Sequence, residues 1–432
     1  MEGWGDYYGV TSLHPIGLLA VLILGYVLLV APRRYVVLPM LIMACFIPSA
    51  QRLIVLGADF TLLRILVLFA WARLFLRNEF QGFSWNRLDT MVVAWKMSGT
   101  IVFTIANGTL SAFINRCGWM FDGVGMYFFF RCALQNWSDL YSLFRYLTLI
   151  SFPVAAAFLF ESMTARNVFS VFGGVPAITF VREGKLRCQG AYSHAILAGC
   201  FWAGVAPWML STYHKNGKLV VAGGLTCIML IVSSCASSTP ILACVFAVIG
   251  MLLYRVRSHM RLVRWGFLLT LIILHFARDK PVWHLISRVN VVGGSTGWHR
   301  FRIMDATINN FSEWWLWGET DPMSWGVWEM RDITNQYILE ALRGGGATLL
   351  CYILMIGFAF SLVGKALRHL NEMPRERLVV WSVGTALFVH VCIYFSVSYF
   401  GQIMMMWYLT LAIIGSLPSI ITRQNHLSKG GV

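Results

Sequence analysis

What most constrains this chain is the recurrence of apolar runs along its whole length, most of them long enough to cross about 30 Å of hydrocarbon. Thirteen are read, near residues 16–31, 35–50, 60–76, 89–107, 118–135, 143–160, 191–211, 219–234, 238–254, 265–276, 338–364, 378–396 and 403–421. Of 432 residues, 58% are apolar and only 12% charged, where a soluble domain carries about 25% charged residues. The expected fold is an all-α polytopic membrane protein. Residues 1–432 read as one membrane domain without repeats or a soluble module.

The net charge of +15 does not point to nucleic acid, because the cations sit in short loops between spans. Arg33 and Arg34, then Arg73, Arg77 and Arg87, Lys215 and Lys218, Arg255 to Arg264, and Lys365 to Arg377 share one side. Cation-rich short loops stay cytoplasmic. The N-terminus is therefore expected outside and the C-terminus in the cytoplasm. A cleavable signal peptide is not expected, since the first apolar run follows an acidic start. Eight of the ten cysteines fall in apolar runs and no CxxC occurs, so buried thiols are expected and a metal site is not.

Two outer loops, about 161–190 and 277–337, break the pattern of tight connections, and long loops in compact bundles are usually functional. The longer loop holds seven tryptophans (Trp283, Trp298, Trp314, Trp315, Trp317, Trp325 and Trp328) and seven acids. Indole favours the headgroup level, so short interfacial helices are expected there. Sugar stacking is the competing explanation.

Three stretches carry candidate chemistry. In "VREGKLRCQGAYSH", 181–194, Arg182 and Arg187 stand at the outer surface, and Gly190 permits a turn. Arg187 and His194 share a face if the helix starts early; snorkelling toward headgroups is the competing role for the arginines. In "GWHRFR", 297–302, Trp298, His299, Arg300 and Arg302 cluster on the same side. Arginines converging from separate loops repel unless an anion lies between them, and the guanidinium fork suits phosphate oxygens. In "RDITNQYILEALRGGG", 331–346, Asp332 and Asn335 fall on one face if helical, with Asp332 a natural cap, and the glycines permit close helix packing. "SSCASSTP", 233–240, reads as a tight outer turn. Arg52 and Arg116, placed in outer loops without motif context, are expected to tolerate lysine.

These motifs, in this order, resemble the O-antigen ligase and polymerase superfamily, nearest its exopolysaccharide polymerase branch. The likeness rests on an arginine before the "G…H" helix start, on "GWHR", and on D-x-x-N-x-Y-x-L followed by glycines. It extends to "HPIGLLAVLILGYVLLVAPRRYVVLP" and "QRLIVLGADFTLLRIL", and so covers most of the chain. The resemblance implies a GT-C-type fold and an inverting, metal-independent glycosyltransferase without cofactor. Its donor and acceptor would be undecaprenyl-diphosphate-linked glycans in the surrounding lipid, with other polysaccharide export components as partners. Arg187 and Arg300 fall where that family holds the diphosphate. Arg182, His194, Trp298, His299, Arg302 and Asn335 would then line the substrate. Ligases of the family carry histidine where Thr334 stands, and a hydroxyl is no base near pH 7. Polymerase therefore ranks ahead of ligase, and Asp332 becomes the candidate base, ahead of Glu319, Asp321 and His194. A lipid-linked sugar transporter or flippase is the rival class; it requires charges near mid-bilayer, where only Lys96 and Arg131 stand out.

Overall fold

The computed structural model describes residues 11–55, 57–288 and 297–429. Two small antiparallel hairpins occur, β1 (Arg52–Val55) with β2 (Ala58–Thr61), and β3 (Val181–Arg182) with β4 (Lys185–Leu186). The architecture is otherwise helical. First come α1 (Pro15–Val30), α2 (Leu38–Phe46), α3 (Leu62–Leu76), α4 (Arg87–Asn107), α5 (Leu110–Ala133) and α6 (Trp137–Thr164). The middle of the chain forms α7 (Ala195–Ser211), the one-turn α8 (Tyr213–Asn216), α9 (Lys218–Ser234), α10 (Ser238–Leu252) and α11 (Met260–Phe276). The long loop contributes α12 (Gly297–Asn309) and α13 (Phe311–Trp314), and α14 (Gln336–His369), α15 (Pro374–Ile393) and α16 (Gln402–Lys429) complete the bundle. Among the described residues, six helical stretches are long and apolar enough to cross a membrane, and α1, α7 and α9 are shorter apolar helices. The chain is an all-α polytopic membrane protein.

Caps set the boundaries. Asn86 and Asp89 form a reciprocal capping box at the start of α4, which satisfies amides that would otherwise be orphaned in lipid. Thr109 accepts from Ala112 N–H, so α5 begins at Leu110 and not near 118, and Arg116 lies inside it. The run 35–50 does not form one long helix. Its α-helix is nine residues, about 14 Å at 1.5 Å per residue, preceded by a 3₁₀ turn at Arg33–Tyr35. Pro48 explains the early stop, because the residue before proline is pushed out of the helical region, and Ile47 is extended.

Long-range polar contacts define the two ends of the bundle. At one end Arg73 ion-pairs with Glu79 (2.6 Å) and donates to the carbonyls of Leu28, in α1, and of Ala31, just after it (2.7 Å each). Arg33 reaches Asp139 (3.6 Å) and Arg131 reaches Asp89 (2.9 Å) there. Arg131 is therefore a paired residue of the last turn of α5, not a mid-span charge. At the opposite end Ser49 bonds Ser193 (2.6 Å), Gln402 donates to Ala191 O (2.7 Å), and Gln336 N–H donates to Tyr394 O (2.9 Å). The segments 47–61, 165–194 and 394–402 thus meet at a single loop end.

The long loop folds over the start of α14. Ile303, Trp314, Met330, Ile338 and Leu342 form their own apolar cluster, and Trp314 Nε1 donates to Thr307 O (2.7 Å). Trp298, Trp315, Trp317 and Trp328 remain about half exposed or more. The glycines of α14 do more than allow helix packing. Gly345 has φ 64° and ψ −174° and breaks the helix. The loop docks against this break, with Gly346 N–H donating to Trp315 O (2.6 Å) and Glu319 N–H to Leu342 O (2.7 Å).

Candidate functional site

The β3–β4 hairpin delivers Arg187. Its tight turn uses Glu183 and Gly184, both at positive φ, and Arg187 N–H donates to Phe180 O (2.8 Å). Cys188 N–H then donates to Ser234 O at the end of α9 (3.0 Å). Glu161, buried at the top of α6, accepts from Gln189 N–H (3.1 Å), Gly190 N–H (2.9 Å) and the Thr179 hydroxyl (2.9 Å). One carboxylate therefore fixes the segment after Arg187. Gly190 sits at φ 58°, and a Cβ there would lie 2.5 Å from the Phe158 ring. Only glycine fits both restrictions without strain.

Arg300 comes from α12. It is 5% exposed and Arg187 is 8% exposed. Arg300 Nη2 donates to the Thr239 hydroxyl at the start of α10 (3.0 Å), while the Nε of Arg300 and the Nε of Arg187 are buried without a hydrogen-bond partner. Burial lowers the pKa of both guanidiniums, and the charge of Arg182 lowers each further. His194 is pushed down to about 4 by burial, then by Arg187 and Arg182. The segment 182–194 and α12 are thus brought close enough for their charges to act on one another. Neither Arg187 nor Arg300 ion-pairs with a carboxylate among the described residues. By contrast Arg52, Arg64, Arg73 and Arg131 each do, at 2.6 to 2.9 Å. Isolated buried cations are costly unless a counter-charge arrives. The Nε donors left over suit an oxyanion such as a phosphoryl group.

The remaining candidates separate. His194 does not share a helix face with Arg187, because α7 starts at Ala195; His194 is its cap and accepts from Ile196 N–H at Nδ1 (3.1 Å). His299 donates from Nε2 to the Asp332 carbonyl (2.9 Å), since a carbonyl oxygen can only accept. Asp332 is not the cap of α14. It lies in extended conformation after a 3₁₀ turn, exposed, while buried Asn335 caps the helix by accepting from Tyr337 and Ile338 N–H. Asp332 and Asn335 accordingly share no helix face. Arg302, on the other side of α12, faces Glu329 at 3.7 Å. Trp298 is 55% exposed and packs on Phe301. The Thr334 hydroxyl is buried without a partner. Arg52 and Arg116 are not free loop residues: Arg52 is buried and paired with Asp59 (2.7 Å), and Arg116 is buried in α5.

Sequence reasoning missed Thr239 and Glu161. Thr239 lies in the serine-rich turn read only as a connection, and Glu161 is an ordinary-looking acid at the end of an apolar run. The fold is that of a polytopic helical membrane protein, and at its loop end Arg187 and Arg300 are buried with no ion pair to a carboxylate among the described residues. No protein-family model matches the chain, and no curated protein matches it.

Proposed function

We propose that this chain is a membrane glycosyltransferase of the polysaccharide polymerase type, acting on lipid-diphosphate-linked glycans at the outer face of a bacterial inner membrane. The observation that carries the proposal is the pair of buried arginines, Arg187 and Arg300, each with an unsatisfied Nε and, among the described residues, no carboxylate partner. The donor's diphosphate supplies the missing negative charge. In the reaction an acceptor hydroxyl attacks the anomeric carbon of the donor sugar, and the bond from that carbon to the diphosphate oxygen breaks. The electron pair leaves with the carrier diphosphate, where the two guanidiniums neutralise it. Arginines perform here the charge neutralisation that a divalent metal supplies in other enzymes. The acceptor proton passes to the exposed Asp332 carboxylate or to water. With the N-terminus outside and the C-terminus in the cytoplasm, the loop end faces the periplasm.

Purified chain incubated with extracted lipid-linked repeat units tests the proposal. A ladder of lengthened glycans is expected, undiminished by EDTA. A single transfer product identifies a ligase instead, and transport without bond formation identifies a flippase.

A further inference from the structure

We infer that the end of the bundle opposite the loop end binds the headgroup of an anionic phospholipid, where the joint between α10 and α11 meets the start of α15. Neither the site nor its ligand depends on the glycosyltransferase reading.

Two arginines from distant segments converge there on one tyrosine. The 3₁₀ stretch Leu253–His259 joins α10 to α11 and carries Tyr254. The Arg257 guanidinium lies 4.5 Å from the centroid of that ring, and its Nη1 donates to Tyr254 O (3.1 Å). Arg377, in the first turn of α15, donates from Nε to the Tyr254 hydroxyl (3.4 Å) and from Nη1 to Asn371 O (3.1 Å). Trp381, one turn further on, stands edge-on to Tyr254 with centroids 5.6 Å apart and donates from Nε1 to Gly250 O (2.8 Å). Tyrosine and tryptophan favour the headgroup level of a bilayer. Trp265, 61% exposed in the second turn of α11, fits the same level.

Charge at this joint is unbalanced. Residues 253–264 contain Arg255, Arg257, Arg261 and Arg264 and no acid, and residues 370–377 add Arg375 and Arg377 against Glu372 and Glu376. Neither Arg257 nor Arg377 ion-pairs with a carboxylate among the described residues. Arg33, Arg73 and Arg131, at the same end of the bundle, each do. The cations of the first half of the chain are thus matched within the protein, and those of the joint call for a counter-charge from outside. At headgroup level that counter-charge is lipid phosphate, and the guanidinium fork suits its oxygens.

The fold has a use for such a ligand. No residue of α11 is buried, and the helix packs chiefly on the 3₁₀ stretches at its two ends. Its start is tied to α15 through Tyr254. A phosphate held between Arg257 and Arg377 adds a second tie between α11 and the bundle.

Native mass spectrometry and amide hydrogen exchange of the detergent-solubilised full chain test this, with phosphatidylglycerol as the anionic lipid and phosphatidylcholine as the zwitterionic one. Phosphatidylglycerol should be retained at least fivefold better and should slow exchange across residues 253–264. Arg257→Gln and Arg377→Gln should each weaken its binding about fivefold. Arg255→Gln, exposed and without a hydrogen bond or ion pair among the described residues, should do the same without acting through the fold. Arg166→Gln, exposed at the loop end, should leave binding unchanged. Equal retention of the two lipids, or full retention of phosphatidylglycerol by the Arg257, Arg377 and Arg255 variants, would overturn the inference. Inorganic phosphate slowing exchange as much as phosphatidylglycerol at equal concentration would overturn the lipid assignment in favour of a free anion.

Discussion

Arg300 is steadied by its bond to the Thr239 hydroxyl, and that contact can be removed without changing shape. Thr239→Val leaves a buried guanidinium with one more unmet donor, and turnover should fall about tenfold, roughly 1.4 kcal/mol. An unchanged initial rate would mean that packing alone orients Arg300. Arg302→Lys is the matching control: its contact with Glu329 is 3.7 Å and its side chain 42% exposed, and such pairs contribute about 0.2–1 kcal/mol, so less than a fivefold effect is expected. His194 gives a pH signature. Its folded pKa is lowered from 6.5 to about 4, so the unfolded chain binds the proton more readily. Stability contributed by the neutral imidazole is therefore complete above pH 6.5 and is lost as pH falls toward 4. Unfolding midpoints of the wild type should drop through that window more than those of His194→Gln; parallel curves would count against it. Arg187 and Arg300 stood out in the sequence because each lies in a motif-like stretch, "VREGKLRCQGAYSH" and "GWHRFR". Thr239 did not, since a Ser/Thr-rich turn is what many interhelical connections look like.

The break in α14 is the element on which the long loop depends. At φ 64° and ψ −174° Gly345 occupies a region nearly restricted to glycine, and an added Cβ would lie 2.5 Å from Leu316 O. Gly345→Ala should therefore cost on the order of 1–3 kcal/mol, seen as a lower thermal midpoint in detergent. Gly357→Ala, in the same helix with nothing near its Cβ, should not lower it. Equal midpoints for the two variants would show that the loop does not rely on the break. Three successive glycines announced something unusual, yet sequence alone favoured close helix packing, because glycine serves both purposes. The start of α14 posed a similar ambiguity. Asp332 and Asn335 are both good caps, and the 3₁₀ turn at Trp328–Arg331 leaves only Asn335 at the helix end.

At the scale of the whole chain, the apolar runs located nearly every helix, because a span in lipid must satisfy its own backbone. The errors fall where capping or proline sets the boundary, as at Thr109 and Pro48. Burial of Arg116 was illegible for that reason: a hydropathy window opens after it, whereas the cap opens before it. The arrangement of ends is testable with an impermeant thiol reagent, since all ten cysteines are buried or half-buried and an added exposed one stands out. Cysteines at Glu183 and Ser312 should label from the outside and one at Ser258 from the cytoplasm; labelling of the first two from opposite sides would contradict the shared loop end. The central claim of the proposal is that Arg187 and Arg300, from distant segments, hold one diphosphate. Its most direct measurement is the initial rate of glycan lengthening for wild type, Arg187→Lys, Arg300→Lys and the double variant. Each single substitution keeps charge but loses the fork and should cost about a hundredfold, on the order of 3 kcal/mol, with normal membrane insertion. The double variant should lose clearly less than the sum, because the two contacts serve one anion. Additive losses, or rates equal to wild type, would contradict the account.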